Sequence, residues 1–438
     1  MRVLVSAYAC EPGRGSEPSI GWDSVQQIAR FHEVWVATRA NNRHSIEKAL
    51  AIRSLPTVHW IFIDLPRWAR FWKKGRRGSR LYYCMWQFVT YLITKRLHRK
   101  VGFELVHHVT FGNYWMPSFL VLLPVPFVWG PVGGGESAPR SFLRSFGRRG
   151  QMYEMLRNIS RKIGELNPIV RLTARRAACV FATTTETEKR LRLLGCREVH
   201  VYPQVGLPIE EVLQLCRLPI REIAPFRLLS GGTLIHWKGF ELGIRAFAQF
   251  QRQFPMSEYW LLGDGQERRR WEALAEELGV AKKVVFWGEI TRSELLQKLA
   301  ECDILLHPSL HDSGGYIILE AMASGRPPVC LDLGGPSVLV TPETGIKVPA
   351  LCPEQVIRNL AEALGRLSCD PVFRASMGQA ARARVKEHFS WDKKGITLTS
   401  SYLRAGFPKT GDLTSTESGI PVPIIGRNSR VDPYPEKK

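Results

Sequence analysis

The residues best suited to chemistry lie in the carboxyl half of the chain. The block Gly231-Gly232-Thr233-Leu234-Ile235-His236-Trp237-Lys238-Gly239 follows a strand-like run and sets a lysine at a helix start beside a glycine pair. Glycines let backbone approach a ligand closely, and helix-start amides with an ammonium group favour an anion such as a diphosphate. Taken alone, Lys238 reads as an ordinary solvated lysine, so the spacing carries the argument. Further on, DILLHPSLHDSGGYIILEAMASGRPPV joins a strand, a loop with Asp312, Gly314 and Gly315, and a short helix that bears Glu320 and stops at Gly325. Its loop glycines and first-turn amides form a second anion cradle, and Glu320 can accept hydrogen bonds from a ribose diol, as the acidic residue of dinucleotide folds does.

The amino half offers weaker candidates. Gly13-Arg14-Gly15-Ser16-Glu17-Pro18 follows the first strand, and Gly13 and Gly15 permit close backbone approach to an anion. A nicotinamide-binding loop would place glycine where Pro18 stands and an acid at the end of the second strand, where Thr38-Arg39 stand; both positions argue against a dehydrogenase. His107 and His108 end the strand-like run ELV, and Glu136 follows three glycines. These three are cleft candidates for sugar binding or proton movement, against the plain alternative that they are structural.

The elements that must position these residues repeat. RVLVSAYA, HEVWVAT, VHWIFIDL, ELVHHVTF, PFVWGPV, CVFATT and VHVYPQ read as strands with helical stretches among them. After Gly206 the pattern restarts with RLLSGG, YWLLGDG, VVFWGEI, DILLHPS and PPVCLDL. Parallel neighbours need crossover elements, so the alternation predicts an α/β protein with two Rossmann-like βαβ domains. The expected division is residues 1–205, a loose connector 206–225, a second domain 226–385, a helix over 386–405 that packs back on the first domain, and a disordered tail 406–438. Ligands of open parallel sheets bind beyond the carboxyl ends of the strands, so the two domains are expected to face each other across a cleft.

Composition narrows the class. A chain of 438 residues with 45% apolar residues exceeds what one core usually serves. The nine cysteines are scattered without metal-ligand spacing and read as reduced thiols of a cytoplasmic protein. The apolar start is too short for a secretory signal, so export is not expected. The longest apolar run, 118–132, is broken by prolines and falls short of a membrane span. The net charge is +21, and between Leu65 and Phe103 stand 11 Lys or Arg and no Asp or Glu. Arg67, Arg70, Lys73, Lys74, Arg76, Arg77 and Arg80 interleave with Trp68, Phe71, Trp72, Tyr82, Tyr83 and Trp86 there. Cations flanking aromatic and apolar residues predict docking on an anionic membrane surface, against the alternative of a core helix with a solvated face. Nucleic acid would answer the same charge but not the donor-like loops.

At these blocks the chain resembles the family 4 glycosyltransferases, retaining enzymes of the GT-B fold. The likeness rests on Gly231 to Gly239, the LLGDG strand end and the HPS-loop-LEAMASG block. YACEPGRGSEPSIGW, HHVTFGNYWMPSF and FVWGPVGGGESAP resemble a bacterial surface-polysaccharide branch. The resemblance implies a sugar moved from a nucleotide-sugar donor to a glycan or lipid-linked acceptor with retention, without metal or other cofactor, at the inner face of the cell membrane. It implies Lys238, Asp312 and one of His107 and His108 as catalytic, with Thr233, Gly314, Gly315 and Glu320 at the donor and Glu136 in the cleft. Two positions depart from the family pattern. Asp312 stands where a glutamate is usual, and Thr233 where an arginine often follows the strand-end glycine. These departures sustain a second hypothesis, a degenerate GT-B protein that binds membrane or nucleic acid without catalysis.

Overall fold

The computed structural model describes residues 1–15, 17–70, 72, 78–220 and 225–406. Phe71, Lys73, Lys74, Arg76 and Arg77 of the basic segment, and the tail from 407, lie outside the described residues.

Among the described residues the strands form two all-parallel sheets. The first has the order β3-β2-β1-β4-β5-β6-β7, from β1 (Arg2–Ser6), β2 (Glu33–Arg39), β3 (Val58–Ile63), β4 (Leu105–His108), β5 (Phe127–Val132), β6 (Ala177–Ala182) and β7 (Val199–Val201). The second has the order β10-β9-β8-β11-β12-β13, from β8 (Phe226–Gly231), β9 (Ser257–Leu262), β10 (Val284–Gly288), β11 (Ile304–His307), β12 (Pro328–Leu331) and β13 (Ile346–Val348). Both orders reverse direction beside their first strand, between β1 and β4 and between β8 and β11, which defines the switch point of a doubly wound sheet. Strands covered by helices on both faces bury every side chain, which is why β4, β11 and β12 are buried without alternation.

The crossover helices of the first unit include α1 (Glu17–Ala29), α2 (Arg43–Ile52), α3 (Ser79–Val101), α4 (Arg148–Leu166), α5 (Pro168–Arg176) and α6 (Thr185–Leu194). The connector is not loose throughout: α7 (Ile209–Cys216) forms within it because Val212 and Leu215, three apart, join the core beneath Leu229 and Leu262. In the second unit follow α8 (Phe240–Gln253), α9 (Arg268–Glu277), α10 (Arg292–Glu301), α11 (Tyr316–Ala323), α12 (Gly334–Leu339), α13 (Pro353–Cys369) and α14 (Pro371–Arg384). α8 shows the local logic: Phe240, Ile244, Phe247 and Phe250 recur at three and four residues and are buried. α10 starts at a capping box, in which Thr291 and Glu294 satisfy each other's backbone amides.

The final helix, α15 (Trp391–Gly406), returns to the first unit and packs on α1, β5 and β6. Leu207 and Ser390 pair where the chain crosses between units, with Leu207 N–H donating to Phe389 O at 3.0 Å and Trp391 N–H to Leu207 O at 3.0 Å. No helix among the described residues is long and apolar enough to cross a membrane.

Candidate active site

A cleft of about 620 Å³ opens at the switch point of the second sheet. Gly231 and Gly232 leave the end of β8, His307 ends β11, and Ile20 of α1 with Gln204 and Val205 close the opposite wall. Lys238, Asp312, Gly314, Gly315 and Glu320 all line it.

The backbone here needs glycine. Gly232 has φ +144° and Gly263 φ +113°, and a Cβ on Gly263 would lie 2.3 Å from the Gly232 carbonyl oxygen. Two strand ends thereby meet more closely than side chains allow, and the Lys238 chain lies along the bare Cα of Gly232, whose notional Cβ falls 3.5 Å from Lys238 Cε.

Lys238 Nζ donates to Asp312 Oδ2 at 2.5 Å, and both side chains are largely buried. Asp312 Oδ1 accepts from the Gly314 amide at 3.1 Å, and His307 Nε2 lies 3.4 Å from Oδ2. Burial alone would raise the Asp312 carboxyl, but Lys238 and His307 hold it well below the usual carboxylate range. Burial lowers His307 in turn, and the hydrogen bond to Asp312 opposes that fall. The result is a fixed carboxylate that orients an ammonium group at the mouth of the Gly314–Gly315 loop.

Glu320 is buried on α11 and pairs with Arg292 at the start of α10; Arg292 also holds Glu211 of α7. Burial raises the Glu320 carboxyl and Arg292 opposes that rise.

A second polar cluster lies behind the Lys238 loop. Glu154 of α4 reaches from the first unit to His311 Nε2 at 2.9 Å and His236 Nε2 at 3.5 Å. Burial would raise Glu154, yet hydrogen bonds from His236 and His311, with the charges of His311 and Arg157, push it down to about 2. Tyr153 stacks on Trp237 with ring centroids 4.9 Å apart, so α4 braces the Lys238 loop directly.

Four expectations need correction. His107 and His108 do not line this cleft. The Gly130 carbonyl can only accept, so His107 Nε2 donates to it at 2.6 Å, and Nδ1 accepts from the Tyr402 hydroxyl of α15 at 2.5 Å. His108 Nδ1 lies 3.1 Å from Ser118 Oγ; burial lowers His107 to about 4 and His108 to about 3. Both rings are spent in packing. Glu136 is buried and accepts from the Gly134 amide at 3.1 Å and from Thr184 and Thr187 hydroxyls, holding its own loop. Gly13 and Gly15 are exposed, a Cβ added at either would meet open space, and both lie outside the cleft lining. Thr233 is likewise exposed beyond that lining.

His307, Gln204 and the Glu289–Ile290 turn also line the cleft and were not singled out from the sequence. HPS at the end of β11 was the available signal for His307, since a strand end at a switch point faces the ligand side.

Two doubly wound units facing across a cleft at their switch points make the GT-B architecture. Residues 223–384 match the family model described as Glycosyl transferases group 1, so the second unit carries a glycosyltransferase group 1 domain. The chain is 32% identical over 180 residues to the GDP-mannose-dependent monoacylated alpha-(1-6)-phosphatidylinositol monomannoside mannosyltransferase of Corynebacterium glutamicum, covering 40% of this chain and 46% of that one. It is 25% identical over 367 residues to the GDP-mannose-dependent alpha-(1-6)-phosphatidylinositol monomannoside mannosyltransferase of Mycolicibacterium smegmatis, 79% of this chain and 91% of that one. The chain thus spans under half the length of the first of these relatives. Among solved structures, the lipopolysaccharide outer core galactosyltransferase WaaB in its apo form matches with a TM-score of 0.60 at 13% identity over 92% of this chain and 100% of that one, a likeness of fold.

Proposed function

We propose that this protein is a retaining glycosyltransferase of family 4 that moves a sugar from a nucleoside-diphosphate sugar to a lipid-linked or growing glycan acceptor, in bacterial surface polysaccharide or glycolipid assembly. The observation that carries this reading is the Lys238–Asp312 pair, set between Gly232 and the Gly314–Gly315 loop at a switch point. The phosphatidylinositol mannoside activities named for the two relatives support a nucleotide-sugar donor and a lipid-type acceptor.

In this mechanism the donor diphosphate lies against Lys238 and the amides of Gly314 and Gly315, and Glu320 receives the ribose hydroxyls. Asp312 holds Lys238 in place and borders the donor sugar. The bond between the anomeric carbon and the β-phosphate oxygen breaks, and its electron pair leaves with the diphosphate. The acceptor hydroxyl oxygen bonds to the anomeric carbon from the same face, and its proton passes to the departing diphosphate oxygen. Lys238 stabilises that growing charge in the cleft, and no metal ion is called on in this scheme. The acceptor enters from the first unit, at the inner membrane face, and the cationic end of α3, with exposed Lys95, Arg96, Arg99 and Lys100, favours an anionic lipid surface.

A thermal-shift screen against UDP, GDP, ADP, dTDP and CMP with their sugar conjugates tests the donor site. Selective stabilisation by one nucleotide and its sugar is expected. A flat response across the panel would contradict the reading and favour a catalytically silent GT-B protein.

A further inference from the structure

Helix α4 is inside out for a helix on a water-facing surface. Its inward face carries the charge: Glu154, Arg157 and Arg161 are buried. Glu154 takes His236 and His311, Arg157 donates to the carbonyls of Gly134 at 3.0 Å and Glu136 at 2.8 Å, and Arg161 donates to Ser137 Oγ at 2.7 Å. The outward face is Met152, Met155, Leu156, Ile159, Ile163 and Leu166, between 46% and 68% exposed. Intervals of three and four place these on one stripe along the helix. Single exposed apolar residues are ordinary, but six large ones in a row on one face mark a surface meant to be covered.

The rim names the cover. Arg148, Arg149, Lys162 and Arg171 are exposed around the stripe. The two carboxylates of α4 are spent elsewhere, Glu154 inward and Glu165 on the Tyr114 hydroxyl at 2.5 Å and Arg190 at 3.0 Å. An apolar stripe edged by cations matches acyl chains beneath anionic headgroups. A second copy of this chain fits poorly, because it would bring two cationic rims together in a protein of net charge +21. α3, with exposed Leu81, Phe88 and Leu92, lies nearby: it packs on the short 3-10 helix Phe119–Leu122, that helix on α5, and α5 on α4.

We infer that the outward stripe of α4 inserts into the interface of an anionic lipid bilayer, with Arg148, Arg149, Lys162 and Arg171 on headgroup phosphates. This deepens the membrane-face reading given above. It also fixes what the bilayer touches: Tyr153 on Trp237 and Glu154 on His236 tie the inserted helix to the loop that carries Lys238. The donor loop would then sit directly above the lipid surface that presents the acceptor.

Flotation of the full chain with vesicles of phosphatidylcholine alone, or mixed with phosphatidylglycerol, tests this. Wild type is expected to float with the mixed vesicles, and Ile159→Asn with Ile163→Asn to lower partition by at least ~tenfold. Both positions are exposed, so circular dichroism and the nucleotide thermal shift should stay as in wild type. Ile163→Trp should show blue-shifted emission only on the mixed vesicles, which reports insertion and not mere adsorption. Three results would overturn the inference: wild type fails to float, the Asn variant floats as well as wild type, or light scattering shows a wild-type dimer that the Asn variant splits. Insertion as expected with a flat nucleotide screen would leave the inference standing and remove the transferase reading.

Discussion

Lys238 Nζ and Asp312 Oδ2 stand 2.5 Å apart across 74 residues of chain, and the Lys238 side chain runs past Gly232, whose φ of +144° is one that residues with side chains rarely adopt. An ammonium group held by a buried carboxylate is oriented before any ligand arrives, which is what electrostatic stabilisation of a leaving group requires.

Breaking that pair should cost both activity and stability. Lys238→Ala is expected to lower turnover by about 10²–10³-fold and to destabilise the protein by about 3 kcal/mol, because the Asp312 charge is left buried and unpaired. Adding Asp312→Asn should restore most of the stability and none of the turnover. Urea unfolding of the single and double variants, alongside steady-state rates, separates the two effects.

Glu320→Gln should weaken nucleotide affinity about tenfold, the size of one hydrogen bond to a charged group. Calorimetric titration with a nucleotide and its 3′-deoxy analogue is the sharper comparison. Wild type should prefer the full ribose, and the variant should bind both alike. A variant that keeps the preference would remove Glu320 from the ribose.

Glu154 gives a pH signature. Its carboxyl is depressed to about 2 in the folded protein, so its contribution to stability is present above the ordinary carboxylate value and is lost as pH falls through about 2. Near neutrality that contribution is about 3 kcal/mol, from the difference between the folded and ordinary values. Glu154→Gln should therefore be less stable than wild type at pH 7, with the gap closing between pH 4.5 and 2. A gap that stays constant over that range would mean the loss is packing and not charge.

His107 is expected to matter for folding alone. Tyr402→Phe leaves His107 Nδ1 without a donor and should cost about 1–3 kcal/mol in denaturant titration. Turnover per folded molecule should not change, whereas a His107 at the reacting centre would show a shifted pH–rate profile.

Gly263→Ala should be among the costlier single substitutions in the second unit, at about 2 kcal/mol or more, since its Cβ would meet the Gly232 carbonyl at 2.3 Å with φ at +113°. Thermal unfolding measures it directly.

Much of this was readable in the chain. Strands such as β1, β6 and β11 are apolar runs ending at turns, and parallel sheets covered on both faces demand that pattern. Lys238, Asp312, Gly314, Gly315 and Glu320 announced themselves by glycine spacing at strand ends, and all five meet in one cleft. His107 and His108 misled because a strand-end histidine can face the ligand side or be capped by another element, and α15 arrives from almost 300 residues away to bond one of them. Glu154 was silent for a similar reason: an acid on a basic helix reads as solvated, and only the packed units reveal that α4 turns its charges inward. The α7 helix hid in a short segment whose amphipathicity depends on a core supplied by other strands.

The central claim is that Lys238 stabilises a departing nucleoside diphosphate. The direct measurement is release of nucleoside diphosphate from the nucleotide sugar selected by the thermal-shift screen, without acceptor and then with membrane lipid extract, for wild type and Lys238→Ala. Wild type should release it slowly by hydrolysis and faster with extract, and Lys238→Ala should lose both rates while still binding nucleoside. Equal release by the two proteins, or none by wild type under either condition, would contradict the claim.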